Sequence, residues 1–169
     1  MFAPTNSMRF KMAQLKNFNT ALYVMQLDAE SKYNGLLKIG ISNNVERRAK
    51  EVGSVKVLYH DAYRAPRSVV MVTEMLAQAY AYLKVGRPAN YRKALPVRSG
   101  SSEFFNTTNY RQALGFITAA RTQVKRLADN VDEIIAYVRQ KFRDAGKRLP
   151  KSFNFEVIRI RETQEQEMA

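Results

Sequence analysis

Tyr23, Lys38, Arg48 and Glu74 are side chains of the types that together could hydrolyse a phosphodiester. Such a reaction needs an activated water, stabilisation of a five-coordinate phosphorus and neutralisation of the leaving oxyanion. A hard divalent ion supplies much of this and requires at least one carboxylate, which makes Glu74 the candidate metal ligand. A phenol accepts a proton from water if a nearby cation or metal lowers its pKa, so Tyr23 is the candidate general base. Lys38 would lower that pKa or contact the phosphate. Arg48 would grip non-bridging oxygens with a planar fork that a lysine cannot copy. Each has a plainer reading: a strand aromatic in a core, a solvated strand lysine, an arginine paired with Glu51, a surface glutamate. Only the joint pattern favours chemistry.

Composition narrows the alternatives. The chain has no cysteine and a single histidine, His60. Thiolate zinc, Fe–S clusters, disulfides and Cys nucleophiles are thereby excluded. Any metal must be held mainly by oxygen, which suits magnesium, or manganese in its place. The net charge of +13, from 28 Lys+Arg against 15 Asp+Glu, attracts polyanions because phosphate contacts release condensed counterions. Nucleic acid is the expected partner. An anionic membrane or an acidic protein is the weaker alternative, since no basic amphipathic helix with exposed aromatics stands out. No apolar run approaches the roughly 18 to 20 residues of a membrane span. Residues 1–19 form an N-terminal extension with Arg9, Lys11 and Lys16 but no apolar h-region, which argues against a secretory signal.

The elements that must position the four residues follow from periodicity. Thr20–Leu27 and Leu36–Ile41 read as two strands of a hairpin whose long loop ends at Asn34-Gly35. Asn43 and Glu46 have capping-box spacing for a short helix lined by Val45, Ala49 and Val52 and stopped at Gly53. At about 100° per residue, Arg48 lies beside that stripe and Arg47 points away. A third strand runs from Val55 to Ala65. Pro66 then opens a helix with Val69, Val72, Leu76, Tyr80 and Leu83 on one face and Glu74 at its edge. Glu103-Phe104-Phe105 reads as a short strand or a return to the core. Two amphipathic helices then start near Tyr110 and Val131, the second ending at Gly146, and Phe153–Ile160 reads as a late strand before a frayed acidic tail. The expected architecture is α+β: a small three-stranded sheet in a β-β-α-β-α core over residues 20–107, flanked by helices, with a C-terminal helical region over residues 108–169.

In order and spacing, Tyr23 in Ala-Leu-Tyr-Val, Lys38-Ile39-Gly40, Arg48 and Glu74 resemble the GIY-YIG nuclease superfamily, in the branch where KIG replaces YIG. Ser102-Glu103-Phe104-Phe105 is similar to the Gly-Glu-Trp-Phe element that follows the catalytic Glu in that branch. The resemblance spans roughly residues 20 to 106. It implies a metal-dependent DNA endonuclease in a bacterial or phage-infected cytoplasm, with Tyr23, Lys38, Arg48 and Glu74 catalytic and Glu74 on the ion. The chain departs from the family pattern at Val52 and Gln78, where relatives carry histidines. The family Asn has two candidates, Asn90 and Asn106. A fold that binds nucleic acid without cutting it is the alternative.

From Lys84 to Ser102 the helical pattern is lost, and five cations occur without an acid. Lys84, Arg87, Asn90, Arg92, Lys93 and Arg98 are the candidate contacts to a duplex backbone, joined by Arg47; such contacts fix position without reading sequence. One active site would nick, whereas a double-strand break needs two, which a homodimer would supply.

Overall fold

A computed structural model describes residues 20–168, so the N-terminal extension lies outside the described residues. The architecture is α+β, but the sheet has four strands rather than three. They are β1 (Ala21–Leu27), β2 (Leu37–Ser42), β3 (Val55–Ala62) and β4 (Phe104–Phe105), in spatial order β3-β1-β2-β4. All three pairings are antiparallel. The fourth strand, Phe104–Phe105, is two residues long and joins the edge of the sheet beside β2.

Alternation along the strands sorts side chains between two unequal layers. Leu22, Val24, Leu37 and Ile39 point into the main core, which is closed by helices. The central one, α2 (Arg67–Lys84), lies on the sheet. Against it pack α4 (Tyr110–Arg126), α5 (Val131–Asp144) and α6 (Phe155–Met168). Tyr23, Met25 and Lys38 point the other way, toward α1 (Val45–Val52) and the basic loop, where Leu27, Val52, Leu95 and Phe104 form a second small core. Within that loop lie the short helix α3 (Tyr91–Ala94) and a 3-10 turn at Ser101–Glu103. The loop is thus more ordered than its loss of pattern suggests.

Three local expectations change. The cap of α1 is Asn44, whose side chain accepts from the Arg47 amide, while Asn43 accepts from Thr20 and Arg67 instead. Pro66 is the residue before α2 and offers no side-chain cap. The carboxylate of Glu165 fills that gap, accepting from the Ser68 amide at 2.9 Å and from its hydroxyl.

The third change is larger. Phe153–Ile160 is not a strand: α6 begins at Phe155 and continues to Met168 through the acidic tail. The alternating Phe-Asn-Phe-Glu-Val-Ile-Arg-Ile pattern fits either period over so short a run. Packing decides it, because Phe155 and Ile158, one helical turn apart, are the buried pair, while Val157 and Ile160 stay exposed. The Arg139 guanidinium lies 4.6 Å from the Phe155 ring and holds it in place. A strand would have put Phe155 and Val157 on one face; a helix separates them. Phe155→Ala should therefore cost roughly 3 kcal/mol in denaturant unfolding, the range for burying and then losing a phenyl ring. Val157→Ala should change stability by less than about 0.5 kcal/mol. Equal effects would contradict the helical placement.

Candidate active site

Tyr23 and Gly40 are cross-strand partners on the face that carries Lys38. A Cβ at Gly40 would fall 2.3 Å from the Tyr23 hydroxyl and 2.4 Å from its ring carbon Cζ. The phenol therefore lies across the backbone of Gly40, and no residue with a side chain leaves room for it there. Lys38 sits two residues earlier, its Nζ 5.4 Å from the centre of the Tyr23 ring. It donates to the Glu103 carboxylate at the end of the 3-10 turn. Gly100 starts that turn with φ of 72°. A Cβ on it would lie 3.1 Å from Lys38 Nζ and 3.2 Å from an Arg48 terminal nitrogen, so the turn closes over both cations.

Arg48 reaches this group from α1, as its place beside the apolar stripe predicts. Its guanidinium donates to Ser99 Oγ at 3.2 Å and to Glu51 at 3.3 Å.

Glu74 arrives from the opposite layer. It can do so because β4 pairs only with Leu37 and Lys38, leaving the next stretch of the β2 edge without a strand. Helix α2 crosses that edge. Gln78 donates to the Ile39 carbonyl at 2.9 Å, and one turn earlier the Glu74 carboxylate lies by the Ile41 amide, which favours its ionised form. Two side chains at i and i+4 thus stand in for a missing strand. Arg67, seven residues before Glu74 on the same helical face, adds a positive charge beside it and is itself held by Thr20 and Asn43, each at 2.8 Å.

The four sequence candidates therefore converge, near enough that Arg48 and Glu74 act on the ionisation of Tyr23 and Lys38. Their exposure is unequal. Lys38 is 0% and Tyr23 1% exposed, whereas Arg48 and Glu74 are half-buried and form the open side. Burial pushes the Glu74 carboxyl up to about 7, opposed by Lys38, Arg67, the Ile41 amide and Arg48. Burial pushes the Lys38 ammonium down, opposed by Glu74; Glu103, in contact with it, opposes in the same sense. Burial and then the charge of Glu74 raise the Tyr23 phenol to about 12, against hydrogen bonding and charge from Arg48. At neutral pH this phenol is a proton donor.

The other candidates divide. Arg47 is exposed and pairs with Glu51 at 3.6 Å. Arg98 lies beside the cluster: its amide donates to the Val52 carbonyl, and its Nε is 2.9 Å from where a Cβ on Gly53 would stand. Lys84, Arg92 and Lys93 are exposed. Arg87 is half-buried among Tyr82, Tyr91 and Phe105, away from the four residues. Asn90 precedes α3 in the left-handed region, with φ of 55°. Asn106 donates to the Arg87 carbonyl. Neither asparagine hydrogen-bonds to Tyr23, Lys38, Arg48 or Glu74. Sequence reasoning passed over Arg67 as a charge partner of Glu74 and Glu103 as the counter-ion of Lys38. The i, i+7 spacing to Glu74 was a signal for the first; the second was marked only as part of the Ser102-Glu103-Phe104-Phe105 element, with nothing to pair it with Lys38.

The fold and this cluster define a small α+β domain with a mixed cation–carboxylate centre at an incomplete sheet edge. Residues 20–121 match the T5orf172 domain, and the chain belongs to that family, a phage-associated domain related to nuclease-like folds. No curated protein and no solved structure matches the chain. Among the described residues no helix is long and apolar enough to cross a membrane.

The Gly40–Tyr23 contact makes a direct forecast. Gly40→Ala should cost about 1–3 kcal/mol of stability by overpacking. In a Tyr23→Val background the same substitution should cost clearly less, with a coupling of at least about 0.5 kcal/mol in a double-mutant cycle. Additive effects would show that the phenol does not lie over Gly40.

Proposed function

We propose that the protein is a metal-dependent endonuclease that hydrolyses phosphodiester bonds of DNA, with a GIY-YIG-like centre of the KIG type. The observation that carries this reading is the convergence of Tyr23, Lys38, Arg48 and Glu74 from four elements, with Arg48 and Glu74 on the accessible side. Membership in a family compatible with nuclease-like or nucleic-acid-binding function supports it.

Among the described residues no group of three His, Cys, Asp or Glu side chains is positioned to share a metal. Glu74 alone would hold one. That donor set fits magnesium, which commonly takes one or two carboxylates and completes its shell with water and substrate phosphate oxygens. Such an ion, when bound, polarises the phosphoryl oxygens and acidifies water. With three cations near Glu74, an isolated ion would be repelled, so a bound phosphate is needed to balance the charge.

The chain's own residues have distinct parts. Arg48, on the open side, orients and neutralises the scissile phosphate. Lys38, held by Glu103, supplies fixed positive charge behind it. Tyr23 has its pKa raised in part by the charge of Glu74. When that charge is engaged by a ligand, the phenol is eased toward the range in which it accepts a proton from water. Exposed Arg47, Lys84, Lys93 and Arg98 would contact the duplex backbone.

A second reading, nucleic-acid binding without cleavage, is favoured by one observation: Tyr23 and Lys38 are sealed from solvent, and Lys38 already has a carboxylate partner.

Nicking of supercoiled plasmid with magnesium or manganese separates the two. The wild-type protein should nick and chelation should stop it. Glu74→Ala should abolish nicking while leaving DNA affinity within a few-fold. Arg48→Ala and Tyr23→Phe should each lower the rate by roughly 100-fold or more, the scale for a positioned acid–base or phosphate-binding group. Tight binding with no cleavage under any divalent ion would establish the second reading.

The rate should also depend on pH in one direction. The carboxyl of Glu74 is raised to about 7, so its ionised, ligand-binding form is lost as pH falls through that value. Single-turnover nicking should therefore decline about tenfold per unit on the acid side of neutrality. A rate flat from pH 5 to 8 would remove Glu74 from the reaction.

A further inference from the structure

The basic loop does two different things. Its second half, Arg98 to Glu103, closes over the catalytic cluster. Its first half turns toward the C-terminal part of the chain and forms a cavity of about 610 Å³ there. From the loop side this cavity is lined by Arg87, Tyr91 and Arg92, and from the α5–α6 connection by Lys147, Lys151 and Ser152, with Tyr82 between. No acid lines it, and it shares no residue with the cluster of Tyr23, Lys38, Arg48 and Glu74.

Arg87 is the centre of this arrangement. Its guanidinium carbon lies 5.1 Å from the centre of the Tyr82 ring and 5.5 Å from that of Tyr91. One terminal nitrogen donates to Ser152 Oγ at 2.8 Å, whereas the Nε is buried without a hydrogen-bond partner. Among the described residues no carboxylate pairs with Arg87. A desolvated guanidinium held by rings, with a donor unused, is costly unless an anion completes it. Lys147, 5.9 Å from the Tyr82 ring centre, and Arg92, 5.9 Å from that of Tyr91, sit on the two flanks, and with Lys151 no acid opposes them in the cavity. Four cations around one hollow repel each other, and the hollow is relieved by an anion.

We propose that this cavity is a second nucleic-acid site, which binds the phosphate backbone of a strand with residues distinct from those of the cleavage cluster. Arg87 takes a phosphate oxygen in its fork, and Lys147, Lys151 and Arg92 neutralise the neighbouring phosphates. Two of its four cations, Lys147 and Lys151, lie outside the matched family region of residues 20–121, so the C-terminal residues add grip to the family domain. The inference rests on the nucleic-acid part of the proposed function and not on cleavage.

Binding of a fluorescent duplex oligonucleotide, measured without divalent ion across a salt series, tests it. Lys147→Gln combined with Lys151→Gln should lower the slope of log K against log salt by about 1.8, the value for two lost phosphate contacts. Both lysines are exposed, so folding should be unaffected. The control pair Lys32→Gln with Lys125→Gln removes the same charge from exposed positions elsewhere and should leave the slope nearly unchanged. Arg87→Gln should weaken binding further, with its circular dichroism compared to wild type. If the control pair lowers the slope equally, or the Lys147/Lys151 pair leaves it unchanged while the wild type binds, the second site is refuted and the proposed endonuclease stands. If the wild type binds no oligonucleotide but binds anionic vesicles, both readings fall. Normal binding by the variants with loss of plasmid nicking in Glu74→Ala would refute the cavity alone.

Discussion

The shortness of β4 governs the centre of this molecule. A strand only two residues long leaves the Ile39 carbonyl and the Ile41 amide of β2 without backbone partners, at a depth where unpaired polar groups are costly. Helix α2 answers with side chains: Gln78 takes the carbonyl, and Glu74 is placed beside the amide. A longer β4 would satisfy the edge with backbone and would bar the helix from it. The carboxylate would then remain on the main-core side, separated by the sheet from Lys38 and Tyr23. The incomplete edge is the opening through which two layers contribute to one site.

That opening has an electrostatic consequence. Lys38, Arg48 and Arg67 bring three positive charges to bear on Glu74, and desolvation works against the ionised forms of Lys38, Arg67 and Glu74. Glu103 and Glu51 restore part of the balance, one at the closed end and one at the surface. The 3-10 turn is what delivers Glu103. Gly100 lets the chain reverse at positive φ, and the absence of its side chain allows Lys38 and Arg48 to pass close beneath. Gly40 acts in the same way for the phenol. Two positions without a Cβ thus set where three of the four side chains lie, Tyr23, Lys38 and Arg48, which residue type alone does not reveal.

Much of the frame was legible because long, periodic elements announce themselves. The hairpin, α1, α2 and the stripes of α4 and α5 follow from apolar spacing, and the orientation of Arg48 follows from the same arithmetic. The failures share one cause: short or ambiguous stretches are decided by partners distant in sequence. Phe104-Phe105, legible as a short strand or a return to the core, joins the sheet as its fourth strand only through its pairing with Leu37 and Lys38. Phe153–Ile160 alternates like a strand, yet it becomes a helix since Phe155 and Ile158 fit the core and Glu165 can then cap α2. Arg67 and Gln78 were readable in principle, at seven residues before and four after Glu74. The Lys38–Glu103 pair was not, because a contact spanning 65 residues leaves no local trace.

Burial also limits how the centre can contribute to affinity. Tyr23 and Lys38 are sealed, and what remains exposed is one side of Arg48 and Glu74, a surface too small to hold a polyanion by itself. Counterion release rewards exposed cations, and those lie elsewhere: on α1, along the basic loop and past α5. Reactivity and grip therefore make opposite demands on the solvent. The first needs charges removed from water so that their interactions are strong; the second needs charges in water so that a polyanion can reach them. In the proposed reading a single loop would meet both demands by dividing, since its Arg98 to Glu103 half closes on the cluster while Arg87 to Arg92 opens toward Lys147 and Lys151. Its lack of acids follows from that division: a carboxylate in the first half would quench the exposed cations there, and the carboxylate it does border, Glu103, belongs to the sealed end.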